Sequence, residues 1–207
     1  MDYKNLIRRL LTSFILIIVY FTLINFSNLF LFFVSIIYFF ITVEVFKFFK
    51  KNLLILIFYI LVSYLSFLIY FIYFYDLIIF NLILLFVIIF DSFSYLVGSL
   101  IGKNYIFKKI SPNKTYEGLI GGFAFVNITF FMLPYVMQFN FNINYFILIN
   151  IIIIFAFFGD VAQSYFKRKN DIKDSGNFLP GHGGFFDRFD SFIPNIIFLS
   201  IYSVTVL

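Results

Sequence analysis

Long apolar runs interrupted by short polar intervals dominate this chain. A membrane-spanning helix needs about 20 apolar residues, in a range of roughly 17–25. Seven stretches read as candidates: 10–26, 29–45, 53–73, 77–97, 116–137, 145–166 and 192–206. The N-terminal stretch reads as a retained span. Lys4, Arg8 and Arg9 precede an apolar run too long for a cleaved leader, and no small-residue cleavage site follows it.

The basic residues order these spans. All 15 fall in four clusters: Lys4, Arg8 and Arg9; Lys47, Lys50 and Lys51; Lys103, Lys108, Lys109 and Lys114; and Lys167, Arg168, Lys169, Lys173 and Arg188. The clusters lie before the first span and after the second, fourth and sixth. The intervening connections, 25–28, 74–76 and 138–144, hold none. Seven alternating spans therefore put every Lys and Arg on one side, which the positive-inside rule makes the cytoplasm. The pattern predicts an all-α fold: a polytopic integral membrane helical bundle of about seven transmembrane helices, N-terminus cytoplasmic. It reads as one membrane domain over 1–207. Residues 1–90 form generic spans, 91–191 hold the cytoplasm-facing polar chemistry, and 192–207 make the last span.

Composition sharpens this picture. Apolar residues make up 63% of the 207 and charged residues 12%, against about 45–50% and 25% in soluble domains. A soluble globule is excluded, and so is disorder, which needs a chain poor in apolar residues. Cysteine is absent, which removes disulfides, a thiol nucleophile and thiolate metal sites. The 37 Phe make any single aromatic uninformative.

Function is therefore sought in the polar residues of 91–191. An acid inside a membrane helix costs about 2.5–3.5 kcal/mol on insertion scales and reads first as functional. Asp91, Tyr95, Gly98 and Gly102 share one helical face by spacing. The competing reading is a helix–helix contact that uses glycine for close approach. After Gly102, four lysines and Ser111 and Thr115 suit either a phosphate chain or anionic lipid headgroups. The run 98–104 is not a P-loop, since it is one residue short, lacks the closing Ser/Thr and follows no strand. Farther on, a continued sixth helix would align Asp160, Ser164, Lys167 or Arg168, and Asp171. The stretch 173–190 then gathers Lys173, Asp174, Asp187, Arg188 and Asp190 around His182 and four glycines. Carboxylates suit a hard divalent cation, and Gly181, Gly183 and Gly184 free backbone N–H groups to face an anion. These residues point to metal-assisted phosphoryl or nucleotidyl transfer to a lipid at the cytoplasmic span ends.

The 27 residues from Ser164 to Asp190 closely resemble the phosphatidate cytidylyltransferase signature, S-x-x-K-R-x4-K-D-x-[GSA]-x2-[LIF]-[PG]-x-H-G-G-x2-D-R-x-D, at every fixed position. Upstream, Asp91, Tyr95, Gly98, Gly102 and Lys103 also look like that family. So does the run Ser111-Pro112-Asn113-Lys114-Thr115-Tyr116-Glu117-Gly118, where Asn113 stands in the place of the family's first lysine.

The resemblance implies that CTP and phosphatidic acid give CDP-diacylglycerol and pyrophosphate, with Mg2+ as cofactor. It implies Asp160 and Asp187 as metal ligands, with Asp174, Asp190 and Asp91 as further acids. Lys167, Arg168, Lys173 and Arg188 would hold triphosphate or lipid phosphate. Lys114 and Ser111 would meet the nucleotide, with Asp91, Tyr95, Ser164, Gly183 and Gly184 also binding substrate. His182 with Gly183 and Gly184 would shape the turn presenting Asp187. The implied setting is the cell inner (plasma) membrane, multi-pass, with the active site facing the cytoplasm, a homodimer and no nucleic-acid partner. Two alternatives stay open at this point: a CTP-dependent lipid kinase or related CDP-lipid synthase, and a cation transporter lined by the carboxylates.

Overall fold

A computed structural model describes residues 3–137, 142–176, 178–179 and 183–206. The elements in chain order are α1 (Tyr3–Leu23), α2 (Ser27–Phe48), α3 (Leu53–Tyr73), α4 (Leu77–Ile101), β1 (Tyr105–Phe107), β2 (Ser111–Thr115), α5 (Tyr116–Met137), α6 (Ile143–Lys169), α7 (Phe186–Phe189) and α8 (Phe192–Val206). Each predicted span corresponds to one helix. Among the described residues α2 to α6 are long and apolar enough to cross a membrane, and the apolar parts of α1 and α8, Phe14–Leu23 and Phe192–Thr205, are shorter. The protein is an all-α polytopic membrane protein, with one small antiparallel hairpin where the sequence suggested only a loop. The aromatic and β-branched run Tyr105-Ile106-Phe107 favours a strand, and the Ile110 N–H bonds the Phe107 carbonyl at 3.1 Å to close the turn.

The chain forms two compact units, Met1–Tyr75 with Phe166–Leu207, and Asp76–Tyr165. In the first, α2 packs on α1 and α3, α3 on α8, and α7 on α2. Ile41, Val45, Leu56, Phe67 and Ile193 are fully buried there. A polar tie crosses this apolar core: the Tyr38 and Ser63 hydroxyls lie 2.6 Å apart, and Ser63 donates to the Ile193 carbonyl at 3.3 Å. The α2–α3 turn is held by Asn170, whose side-chain oxygen accepts the N–H groups of Lys50 and Lys51 at 2.8 and 2.6 Å. Directly after it the chain leaves the helix at Asp171, with φ 59°. Asp171 therefore does not extend the polar face of α6, as the spacing suggested, and instead pairs with Lys51 at 3.2 Å.

In the second unit α4 and α5 form the most extensive contact. Glycine permits it. A Cβ on Gly118 would come within 2.5 Å of the Ser94 carbonyl, and one on Gly98 within 3.0 Å of the Thr115 hydroxyl. The core behind this seam holds Phe86, Phe90, Val126, Phe130, Ile149 and Ile153. Asn127 and Asn150 exchange amide hydrogen bonds between α5 and α6, each 3.1 Å. Asp76 caps α4, accepting the N–H groups of Ile78 and Ile79 at 2.8 and 2.9 Å. The predicted polar stripe on α4 divides here. Gly98 and Gly102 face Thr115, whereas Asp91 and Tyr95 are exposed, Tyr95 by 70%. Gly98 thus permits close approach of α4 to α5, the competing reading at that position, whereas Gly102 meets Thr115 of β2.

Candidate functional site

Among the described residues, Asp160 and Asp187, the two acids singled out as metal ligands, each pair with a lysine, Asp160 within Asp76–Tyr165 and Asp187 within the other unit. In Asp76–Tyr165, β2 delivers Lys114, whose ammonium meets the Asp160 carboxylate at 2.6 Å, with the two side chains 17% and 35% exposed. One turn along, the Ser164 hydroxyl lies 3.4 Å from the other Asp160 oxygen. Lys114 also sits 4.5 Å above the Phe157 ring, a cation–π contact that replaces part of the water the ammonium gives up. Burial along β2 is graded toward its α5 end, where Lys114 lies. Pro112 and Asn113 are exposed, while Ser111 and Lys114 are half-buried and Thr115 is buried. Beside them Glu117 in the first turn of α5 accepts the Asn104 amide at 2.7 Å, tying the hairpin to the helix it precedes.

In the other unit Asp187, the second residue of α7, is the centre. Its Oδ1 accepts from the Lys167 ammonium at 2.8 Å. Its Oδ2 accepts the backbone N–H groups of Ser175 and Gly184 at 2.8 and 3.2 Å. The two charged side chains are only 14% and 9% exposed. Burial pushes the Asp187 carboxyl up, but the Lys167 ammonium and the two N–H groups outweigh it and hold the acid below its ordinary value. Gly183, at φ +87°, makes the turn that L side chains resist. The glycine-rich run was expected to offer N–H groups to an anion. The anion that Gly184 meets is the chain's own Asp187.

The remaining candidates are more peripheral. Arg168, Lys173, Asp174 and Arg188 are exposed, while Asp190 is half-buried and accepts the Ser191 N–H at 2.8 Å. Gly181 and His182 lie outside the described residues.

Sequence reading passed over Glu44, in α2, which is fully buried. Its Oε1 accepts the Phe185 N–H at 2.8 Å, and its Oε2 accepts the Phe186 N–H at 2.9 Å and faces the Ser175 hydroxyl at 3.4 Å. The signal was present: Glu44 falls within the apolar stretch 29–45, and an acid inside a span is expensive unless it is used.

Among the described residues no three acidic or histidine side chains converge as a ready-made metal cage. The donors nevertheless suit magnesium. That ion is bound through one or two carboxylates, with substrate phosphates and water completing its shell. Asp160 and Asp187 are carboxylates of this kind, and each already holds a cationic group against one oxygen.

Several apolar helices of spanning length, with lysine–carboxylate pairs at their polar ends, define a multi-pass helical membrane protein. The chain belongs to the cytidylyltransferase family, whose profile matches residues 50–206. It is similar to the phosphatidate cytidylyltransferase of Staphylococcus haemolyticus (strain JCSC1435), 47% identical over 104 residues, and to that of Bacillus subtilis (strain 168), 44% identical over 104 residues. The match to the first covers 50% of this chain and 40% of the relative, and to the second 50% and 39%. The chain thus aligns with about two fifths of the length of these curated relatives.

Proposed function

We propose that the protein transfers CMP from CTP to phosphatidic acid, giving CDP-diacylglycerol and pyrophosphate at the cytoplasmic face of the cell membrane. The observation that carries this reading is the Asp187 assembly. The signature's lysine and its aspartate, 20 residues apart, form a partly buried ion pair that backbone N–H groups complete. The cytoplasmic orientation follows from the one-sided basic residues.

The phosphate oxygen of phosphatidic acid is already anionic at neutral pH, so the step needs no strong general base. The obstacle is repulsion between two anionic substrates, and fixed positive charge near the α-phosphorus lowers it. Lys114 and Lys167 are the partly buried cations in the two clusters. Arg168, Lys173 and Arg188, which are exposed, are suited to meet phosphate from solvent or the lipid surface. Asp160 and Asp187 are the residues proposed to hold magnesium. Magnesium at either carboxylate would neutralise phosphate charge and polarise the phosphorus–oxygen bonds. When it binds, each carboxylate can keep its lysine through the lone pairs that remain, or release that lysine to a phosphate.

The test uses membranes containing the protein, labelled CTP and phosphatidate. CDP-lipid and pyrophosphate should accumulate, and magnesium chelation should stop them. Asp187→Asn should lose the activity while the protein remains inserted. Release of CDP in place of pyrophosphate would indicate a lipid kinase. Wild-type turnover in Asp187→Asn would remove the site assignment.

A further inference from the structure

We propose that Glu44 is a positioning residue for Asp187, acting from α2 through the backbone at the start of α7. The inference rests on the functional reading above, and it concerns a residue outside the family match at 50–206. Four observations converge on it.

Glu44 is fully buried, in a helix whose other buried residues are Phe30, Val34, Ile37, Tyr38, Ile41 and Val45. A carboxylate in such surroundings persists only if hydrogen-bonded. Both of its oxygens accept N–H groups from consecutive residues, Phe185 and Phe186, 141 and 142 positions away. Phe185 and Phe186 are the cap and first residue of α7, so α2 provides the acceptor that a local Ser, Asp or Asn side chain usually provides.

The loop is also shaped around this carboxylate. A Cβ on Gly176 would fall 2.7 Å from Glu44 Oε1, and one on Gly184 would fall 2.6 Å from Oε2. Finally, Glu44 and Asp187 divide the same loop between them. Ser175 gives its N–H to Asp187 and turns its hydroxyl to Glu44. Gly184 gives its N–H to Asp187, while the next two N–H groups go to Glu44.

Glu44 therefore fixes where α7 begins, and the start of α7 fixes where the Asp187 carboxylate points. It touches no substrate in this scheme. The carboxyl group suits the place because it presents two oxygens to two adjacent donors. An amide offers one oxygen, and its NH2 group would confront the second N–H.

The experiment uses the full chain in lipid nanodiscs and compares wild type with Glu44→Gln, Glu44→Asp and Gly176→Ala. Hydrogen exchange is read over 183–190, with α3 and α8 as internal references. Turnover is measured against magnesium concentration. In Glu44→Gln, exchange should accelerate over 183–190 while α3 and α8 keep their protection. The magnesium needed for half-maximal turnover should rise about 10–100-fold, as when a residue supporting a metal ligand is removed. Glu44→Asp keeps both oxygens and should recover part of the loss. Gly176→Ala pushes on the carboxylate from the loop side and should reproduce the effect without altering α2. Unchanged exchange over 183–190 in Glu44→Gln overturns the proposal. So does acceleration that spreads equally through α3 and α8, or an unshifted magnesium dependence in an active variant. A wild type that makes no CDP-lipid sinks the functional reading instead, and the exchange comparison still decides whether Glu44 holds α7.

Discussion

At Asp187 one carboxylate meets an ammonium and two backbone N–H groups with little solvent left to compete. The Lys167 contact at 2.8 Å is a charge-assisted bond in a mostly buried place, and removing it is worth about 1.5–3 kcal/mol. Lys167→Met should therefore lower the unfolding temperature in detergent as well as the activity, and an unchanged melting curve would show the pair to be idle. The acid's pH behaviour has a defined sign. Its value in the fold lies below the ordinary one, which is about 3.9 for Asp. Its contribution is thus complete above that ordinary value and disappears as pH falls through the folded-state value. An acid-side titration of thermal stability should fall less steeply in Asp187→Asn than in wild type below about pH 4.

At the scale of elements, glycine and asparagine set how helices meet. Gly118 allows α4 and α5 to approach where a Cβ would stand 2.5 Å from a carbonyl oxygen of the facing helix. Gly118→Ala should cost about 1–3 kcal/mol, the usual penalty for overfilling a packed seam. By contrast, the reciprocal Asn127–Asn150 pair should matter little. Polar pairs between membrane helices average about 0.6 kcal/mol, because the separated helices find other partners. Unfolding measurements on Gly118→Ala and Asn127→Ala separate these magnitudes, and equal losses would contradict the ranking. The hairpin was not legible as strands because β1 has three residues and β2 has five, one a proline. Pairing of this kind depends on the helices flanking it more than on its own propensity.

For the whole molecule, the absence of cysteine makes topology directly testable. Single cysteines at Lys108 or Lys169 should react with an impermeant maleimide only after the membrane is opened. Cysteines at Asp76 or Asn142 should react from the outside of intact cells. The reverse pattern would invert the orientation given by the basic residues. The helices agree with the predicted spans to within a few residues over most of the chain, because span length and hydropathy are local properties imposed by bilayer thickness. The signature residues were legible for a related reason: their types and spacing lie within 27 consecutive positions.

By itself, then, the sequence determined the helices and the run of residues that matches the family signature. It did not determine which cation meets which acid. Lys114 with Asp160, Lys167 with Asp187 and Lys51 with Asp171 are chosen from many pairs of equal charge and similar reach. Nor did it disclose that Glu44 serves a loop more than 130 positions away, or that Gly98 and Gly102 face Thr115 while Asp91 and Tyr95 face outward. Those outcomes depend on closing long stretches of chain and on burial that exists only once helices have packed. A buried donor without an acceptor is too costly to persist, so tertiary structure selected the partners from what the folded chain brought within reach.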